Sequence, residues 1–257
     1  VITIAEQLFS HLKNLAQKGV NGIWARIIKN AFAPLFVRKF DYVAGNPPWV
    51  NWENLPDQYR QDTKPLWIEY GLFPHGGMDT ILGKGKKDVS MLMTYVAMDN
   101  YLDKKGKLGF VITQSVFKTA GAGQGFRRFK LGDKEPICAF FVDDMTEIKP
   151  FEGVGNRTSV VILEKGRPTK YPVSYTYWKK AVKGKSIKDD DTLENIIQMT
   201  ARKNFQAEPV NPKDITSAWV TGKKWATNAI KKLMGKSDYE AHAGVYSGGT
   251  NAVYWVD

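Results

Sequence analysis

Residues 40–52 read FDYVAGNPPWVNW, and the fold turns on them. Phe40, Tyr42, Val43 and Ala44 form a short apolar run of strand type. Pro47 and Pro48 follow at once, and two prolines forbid both a helix and a central strand at that point. The strand must therefore end in a rigid loop at its C-terminal edge. In open α/β sheets that edge is where ligands bind.

Upstream, residues 3–31 have helical spacing, with Leu8, Leu12 and Leu15 and then Ile23 and Ile27 on a face. Gly19 and Gly22 are expected to break this into two helices. Downstream, residues 51–87 read as an irregular loop in which Trp52, Trp67, Tyr70 and Phe73 alternate with Gly and Pro. Asp88 is placed to cap a helix running to about Leu102, with Val89, Leu92, Tyr95, Val96 and Met98 facing inward. A lysine-rich turn over 104–107 leads into a buried strand over 108–113. Strand, helix and strand alternate, which predicts a parallel sheet. Residues 137–142, 159–163 and 173–178 are further strand candidates. A charged loop over 183–191, a basic helix over 219–233 and a glycine-rich run ending in a strand over 244–256 complete the chain. The chain starts at Val1 rather than Met and stops after a strand-like run, so it is expected to be a fragment of something longer.

Asn46-Pro47-Pro48-Trp49 is the sharpest chemical signal. The Asn46 side-chain oxygen and the Pro47 carbonyl are two acceptors that the prolines hold close together. Both can accept hydrogen bonds from one NH2 group. An amine conjugated to an aromatic ring is a poor nucleophile. Two such acceptors draw its lone pair away from the ring and aim it at a methyl donor. Trp49 can stack on the base, which must then leave the duplex. The alternative is an ordinary Asn-Pro-Pro turn before an aromatic residue.

This stretch, together with GKLGFVIT (106–113), FRRFK (126–130) and FEGVGNRTSVVILEKG (151–166), resembles the adenine-N6 DNA methyltransferases of restriction-modification and phage-defence systems. The resemblance covers about residues 40–166 well, and GVYSGGTNAVYWV (244–256) is similar to the entry into their target-recognition domain. It implies an α/β fold: a partial Rossmann-like methyltransferase sheet, then a linker and the start of a target-recognition region. It implies a catalytic region over 1–166, a basic linker over 167–243 and recognition sequence over 244–257. S-adenosylmethionine is the implied methyl donor, and double-stranded DNA with a flipped adenine the implied partner. By resemblance Asn46, Pro47, Pro48 and Trp49 are catalytic, and Trp49 and Phe151 stack on the base. A core residue at a strand edge is the alternative for Phe151.

Relatives carry a glycine-rich cofactor loop upstream of this motif. Only 45 residues precede Asn46 here and they read as helix. The S-adenosylmethionine site is therefore expected to be incomplete, and the fragment inactive alone. Gly121-Ala122-Gly123-Gln124-Gly125 lacks the full dinucleotide fingerprint. It reads better as a flexible loop whose flank, Arg127, Arg128 and Lys130, touches phosphate. Lys84, Lys86 and Lys87 form a second candidate DNA-backbone loop, with a solvated loop as the alternative. Lys223, Lys224, Lys231 and Lys232 lie at helical spacing and read as a solvated helix face, with phosphate contact as the alternative.

Composition agrees with a nucleic-acid partner. The 257 residues carry 37 Lys+Arg against 26 Asp+Glu, a net charge of +11. The excess is denser from Arg167 onward, at 15 basic against 9 acidic residues. Cys138 is the only cysteine, which excludes an internal disulfide and a cysteine-rich zinc site. His11, His75 and His242 have no metal-ligand spacing, so no metal is expected. No apolar run approaches the roughly 20 residues of a membrane span, and a cytoplasmic protein is the expectation. Methylation of a protein glutamine, methylation of cytosine N4 and a non-catalytic DNA-specificity subunit are the rival readings. The basic C-terminal part argues against the first, and Asn46 itself against the second, since cytosine-N4 enzymes more often carry Ser there. The intact Asn-Pro-Pro-Trp loop argues against the third.

Overall fold

A computed structural model describes residues 2–19, 23–73, 87–133, 135–182, 187–188, 190–233 and 239. Lys84, Lys86 and the expected recognition entry over 244–257 lie outside the described residues.

Two helices open the chain, α1 (Ile2–Gln17) and α2 (Ile23–Phe36), on either side of the Gly19 break. The strand expected from the opening motif forms as β1 (Phe40–Gly45). Residues expected to be irregular hold a helix, α3 (Asp57–Glu69), with Pro65 inside it. Proline and polar residues hide this helix from a propensity reading. It survives because Trp67 is fully buried and stacks on Phe73 at 5.1 Å, and tertiary burial overrides a weak local preference. Next comes α4 (Val89–Asn100), whose N-cap Asp88 accepts a hydrogen bond from the Ser90 N–H at 2.8 Å. The following strand β2 (Leu102–Thr113) takes in the lysine-rich stretch expected to be a turn. Its burial alternates from Leu108 through Phe110 to Ile112. A single helical turn α5 (Ser115–Lys118), β3 (Lys130–Leu131), β4 (Glu135–Asp144) and β5 (Thr158–Lys165) follow.

The chain then adds β6 (Val173–Lys180), α6 (Leu193–Met199), β7 (Thr200–Pro209), β8 (Trp219–Gly222) and α7 (Lys224–Leu233). Where the sequence predicts one basic helix over 219–233, a strand comes first and the helix begins at Lys224.

The α/β class is as expected, but the sheet is mixed rather than parallel. Strand order is β1-β2-β5-β4-β6-β7-β8, with β3 paired to β4. Parallel pairing holds for β1 with β2 and for β4 with β6; every other neighbour is antiparallel. The stretch that reads as linker therefore contributes three strands to the sheet. Val173, Tyr175, Ala207 and Trp219 lie in one hydrophobic core with Leu108, Ile112 and Val161. Phe117 of α5 stacks on Trp219 of β8 at 4.8 Å and joins the two parts.

A polar cluster sits in the same seam. The Tyr175 hydroxyl and the Gln114 amide both donate to Asp144, at 2.5 and 3.1 Å. The Lys118 ammonium donates to the Thr221 hydroxyl at 2.5 Å and lies 5.1 Å from the centre of the Tyr175 ring. Burial pushes the Lys118 ammonium down to about 8, against the opposing pull of Asp144. The unfolded chain, with lysine at its ordinary 10.5, then binds more protons than the folded one above pH 8. Stability is therefore expected to rise between about pH 8 and about pH 9.5, below the tyrosine range. Lys118→Met should flatten that rise in urea unfolding; an equal rise in both proteins would rule Lys118 out as its source.

Candidate active site

β1 delivers the motif to the C-terminal edge of the sheet. At Gly45 a side chain would meet the Phe110 ring at 3.2 Å, so glycine lets that ring close under the strand end. Asn46 is exposed and Pro47 is buried. Among the described residues nothing engages the Asn46 side chain, so its oxygen is free to accept. The Trp49 indole N–H donates to the Val111 carbonyl at 3.1 Å, which fixes the ring plane. Phe151, from the loop before β5, meets Trp49 edge-on, with centroids 5.6 Å apart and planes at 72°. Residues 102 positions apart in sequence are thus joined in one aromatic corner.

The loop is tied down on its far side. The Trp52 N–H donates to the Lys87 carbonyl at 2.7 Å, and the Val89 N–H to the Val50 carbonyl at 2.9 Å. Between them Asn51 and Asp88 form an isolated antiparallel bridge. The Asp88 carboxylate is buried and also accepts from the Thr113 hydroxyl at 3.2 Å, which in turn accepts from Ser115 at 3.0 Å. Burial holds the Asp88 carboxyl above its ordinary range, while its hydrogen bonds from Ser90 and Thr113 pull the other way. Beside Trp49 opens a cavity of about 430 Å3, walled by Asp88, Thr113, Ser115, Thr119 and Arg157. Its lining combines an aromatic residue, three hydroxyl-bearing residues, an acidic residue and a basic one.

Sequence reasoning found Asn46, Pro47, Pro48, Trp49 and Phe151, and the structure brings them together. It found Asp88 only as a helix cap, and it missed Thr113, Ser115 and Arg157. The signal for these was available: Thr113 ends β2, Ser115 opens α5 just after it and Arg157 immediately precedes β5, all on the same sheet edge as the motif.

The expected phosphate contacts fare differently. Lys87 is 6% exposed, lies 5.4 Å from the Phe73 ring centre and has its ammonium pushed down by burial. Arg127 is 0% exposed. Its guanidinium donates to the carbonyls of Val116, Thr119, Ala120 and Thr216 at 2.6 to 3.1 Å, which makes it an internal strut rather than a surface cation. Arg128 bonds to Asp133 at 3.3 Å, and Lys130 is half-buried in β3.

The glycine loop over 121–125 is packed rather than open. A side chain at Gly125 would come within 2.6 Å of the Gly71 carbonyl and Leu72, and one at Gly123 would land on the Val116 carbonyl and Arg127. The space a phosphate or carboxylate would need is filled by protein. Glycines packed this tightly leave no room for the cofactor, and this loop does not fit it. Among the described residues no group of His, Cys, Asp or Glu could hold a metal, and no helix is long and apolar enough to cross a membrane.

Comparison with known proteins places this geometry in context. No curated protein matches the chain. Solved structures similar to it include the type I restriction-modification methyltransferase subunit from Streptococcus thermophilus, 19% identical over 63% of this chain and 31% of that one, with a TM-score of 0.36. The M protein of the type I restriction enzyme EcoKI is 14% identical over 79% of this chain and 51% of that one, with a TM-score of 0.38. The ATP-dependent type ISP restriction-modification enzyme LlaBIII, solved bound to DNA, is 13% identical over 70% of this chain and 13% of that one, with a TM-score of 0.40. The chain thus spans about half or less of the length of each. A family model, that of the Eco57I restriction-modification methylase, matches residues 3–143, more than half of the chain and all of the loop that carries Asn46 and Trp49. The chain belongs to the Eco57I restriction-modification methylase family.

Proposed function

We propose that the protein carrying this chain methylates adenine N6 at a specific DNA sequence, as the modification activity of a restriction-modification enzyme. One observation carries the reading. Trp49 is locked by its indole N–H with Phe151 edge-on to it, three residues after the exposed, unengaged Asn46 and beside a polar cavity. That is what an extruded base with an exocyclic amine requires. The Asn46 oxygen and Pro47 carbonyl would take the two amine hydrogens, and Trp49 would cover the ring face. S-adenosylmethionine would supply the methyl group. Residues 1–166 would serve catalysis, with sequence recognition assigned to the C-terminal side.

The test uses the full-length protein, labelled S-adenosylmethionine and duplex DNA, with the product digested and resolved by mass spectrometry. N6-methyladenine is the expected product. Label on cytosine N4 or on a protein glutamine, with none on adenine, would sink the reading. In the same assay Trp49→Ala should weaken capture of the extruded base by roughly 1–3 kcal/mol, the worth of one base stacked on an aromatic ring. A fluorescent adenine analogue at the target reports this separately from turnover: its emission on binding should drop in the variant. Unchanged emission would show that Trp49 does not hold the base.

A further inference from the structure

We propose that the overhang formed by the end of β6 and the start of β7 is a docking ledge for the phosphate backbone of the DNA that flanks the target base. This rests on the reading of the protein as a DNA methyltransferase.

The sheet topology carries the argument. β1, β2, β4 and β6 run in one direction, so their C-terminal ends share one edge with the N-terminal ends of β5 and β7. The loop with Asn46 and Trp49, the Thr113 wall of the cavity and Arg157 all stand on that edge. β6 pairs with β4 only as far as Tyr177 against Asp144, yet with β7 it continues to Lys180 against Thr200. Trp178, Lys179 and Lys180 therefore run past the end of β4, together with Thr200, Ala201 and Arg202 of β7, and Lys203 stands at their root, opposite Tyr177. The overhang projects on the cavity side of the molecule.

Its chemistry suits a polyanion. Arg202 and Lys203 are exposed. The Arg202 guanidinium lies 4.3 Å from the centre of the Trp178 ring, and the Trp178 indole N–H donates to Asp143 at 2.8 Å. Contact with the indole restrains the exposed guanidinium, and a restrained guanidinium suits phosphate, which it can meet with two parallel donors. Tyr177 stacks against Phe205 on the opposite face of the hairpin, and its hydroxyl donates to Glu147 at 3.3 Å. Glu147 also faces Lys179 at 3.8 Å. With Arg157 on the cavity rim, five cations (Arg157, Lys179, Lys180, Arg202, Lys203) stand against three carboxylates, Asp143, Asp144 and Glu147, with Lys180 and Arg202 on one face of the hairpin and Lys179 and Lys203 on the other. Asp143 is held above its ordinary range by burial. The similar cavity at the other end of the strands is lined by Glu69, Asp99, Asp133 and Glu135, and would repel a phosphate.

The reach is also right. From β2 to β7 the sheet order crosses four strand spacings, about 19 Å. That is five or six nucleotides at about 3.4 Å each along one strand. A duplex with one base in the cavity would lay its flanking backbone on the ledge. The ledge takes over the role for which the sequence offered Arg127 and Lys87, both of which the structure buries.

The test is DNA binding by the full-length protein, followed by fluorescence anisotropy across a salt series, for wild type, Lys203→Ala, the triple variant Lys180→Ala/Arg202→Ala/Lys203→Ala, and a Lys104→Ala control at the opposite sheet edge. Each lost phosphate contact should lower the slope of log affinity against log salt by about 0.9. For the triple variant, raising salt from about 50 to about 200 mM should then cost roughly forty-fold less affinity than in wild type. The loss should be equal for cognate and unrelated duplexes, with KM for DNA raised and turnover at saturating DNA unchanged. The single exposed Lys203→Ala keeps the test valid if the triple variant folds poorly. Steep salt dependence in wild type with the same slope in both ledge variants would overturn the ledge and leave the methyltransferase reading standing. Absence of DNA binding by wild type would instead overturn that reading. Tighter binding of an RNA duplex than of DNA, lost in the same variants, would overturn DNA as the occupant.

Discussion

Asn46→Ala in the full-length protein is expected to lower adenine methylation by ~10²–10³ while leaving DNA affinity essentially unchanged. The expectation follows from where Asn46 stands. It is exposed at the tip of β1, and no described side chain shares its oxygen, so it has no structural duty to lose. Pro47 is buried, and Trp49 is anchored to Val111. The loop should therefore keep its shape when the amide is removed. In the proposed function, what disappears is one of two acceptors for the amine, a contact that would strengthen only as the nitrogen becomes nucleophilic. Single-turnover methylation and an anisotropy titration on the same duplex separate the two effects. Near-normal methylation of N6 by the variant would overturn the role given to Asn46.

The second large effect is on stability. Arg127→Met is expected to cost about 3–5 kcal/mol, because each carbonyl left dry costs about 1–3. Arg127 has no exposed surface and serves the carbonyls of Val116, Thr119 and Ala120, which follow the cavity wall, and that of Thr216, just before β8. Burial pushes its guanidinium down to about 10, still charged at neutral pH. Methionine fills much of the volume and supplies no donor, and even lysine lacks the planar fork that reaches four acceptors. Urea unfolding should show a lower midpoint with an unchanged slope. A variant as stable as wild type but poor in DNA binding would return Arg127 to the phosphate-binding role that its sequence context suggests.

Legibility varied along the chain for physical reasons. The strand before Asn46 and the loop after it were readable because proline restricts backbone shape wherever it occurs. The capped helix after Asp88 was readable because its cap and apolar face are local. α3 was not, since its Pro65 and polar residues argue against a helix and only the burial of Trp67 repays it. The basic residues were misjudged for a related reason. A cation next to glycines reads as a surface group, and nothing in FRRFK tells Arg127, wholly buried, from Arg128, half-buried beside Asp133.

By itself the sequence determined the α/β class, the family and the placement of Asn46-Pro47-Pro48-Trp49 at a strand end, because those depend on contiguous residues and on the stiffness of proline. Only the tertiary structure decided the rest. It set Phe151 against Trp49, closed the cavity with Asp88, Thr113 and Arg157, packed the glycine loop shut, and carried a basic, linker-like stretch into the sheet as β6, β7 and β8. Each of these depends on strand pairing between residues far apart in sequence. Partners that meet across a sheet edge are chosen by register and burial, which no local pattern records.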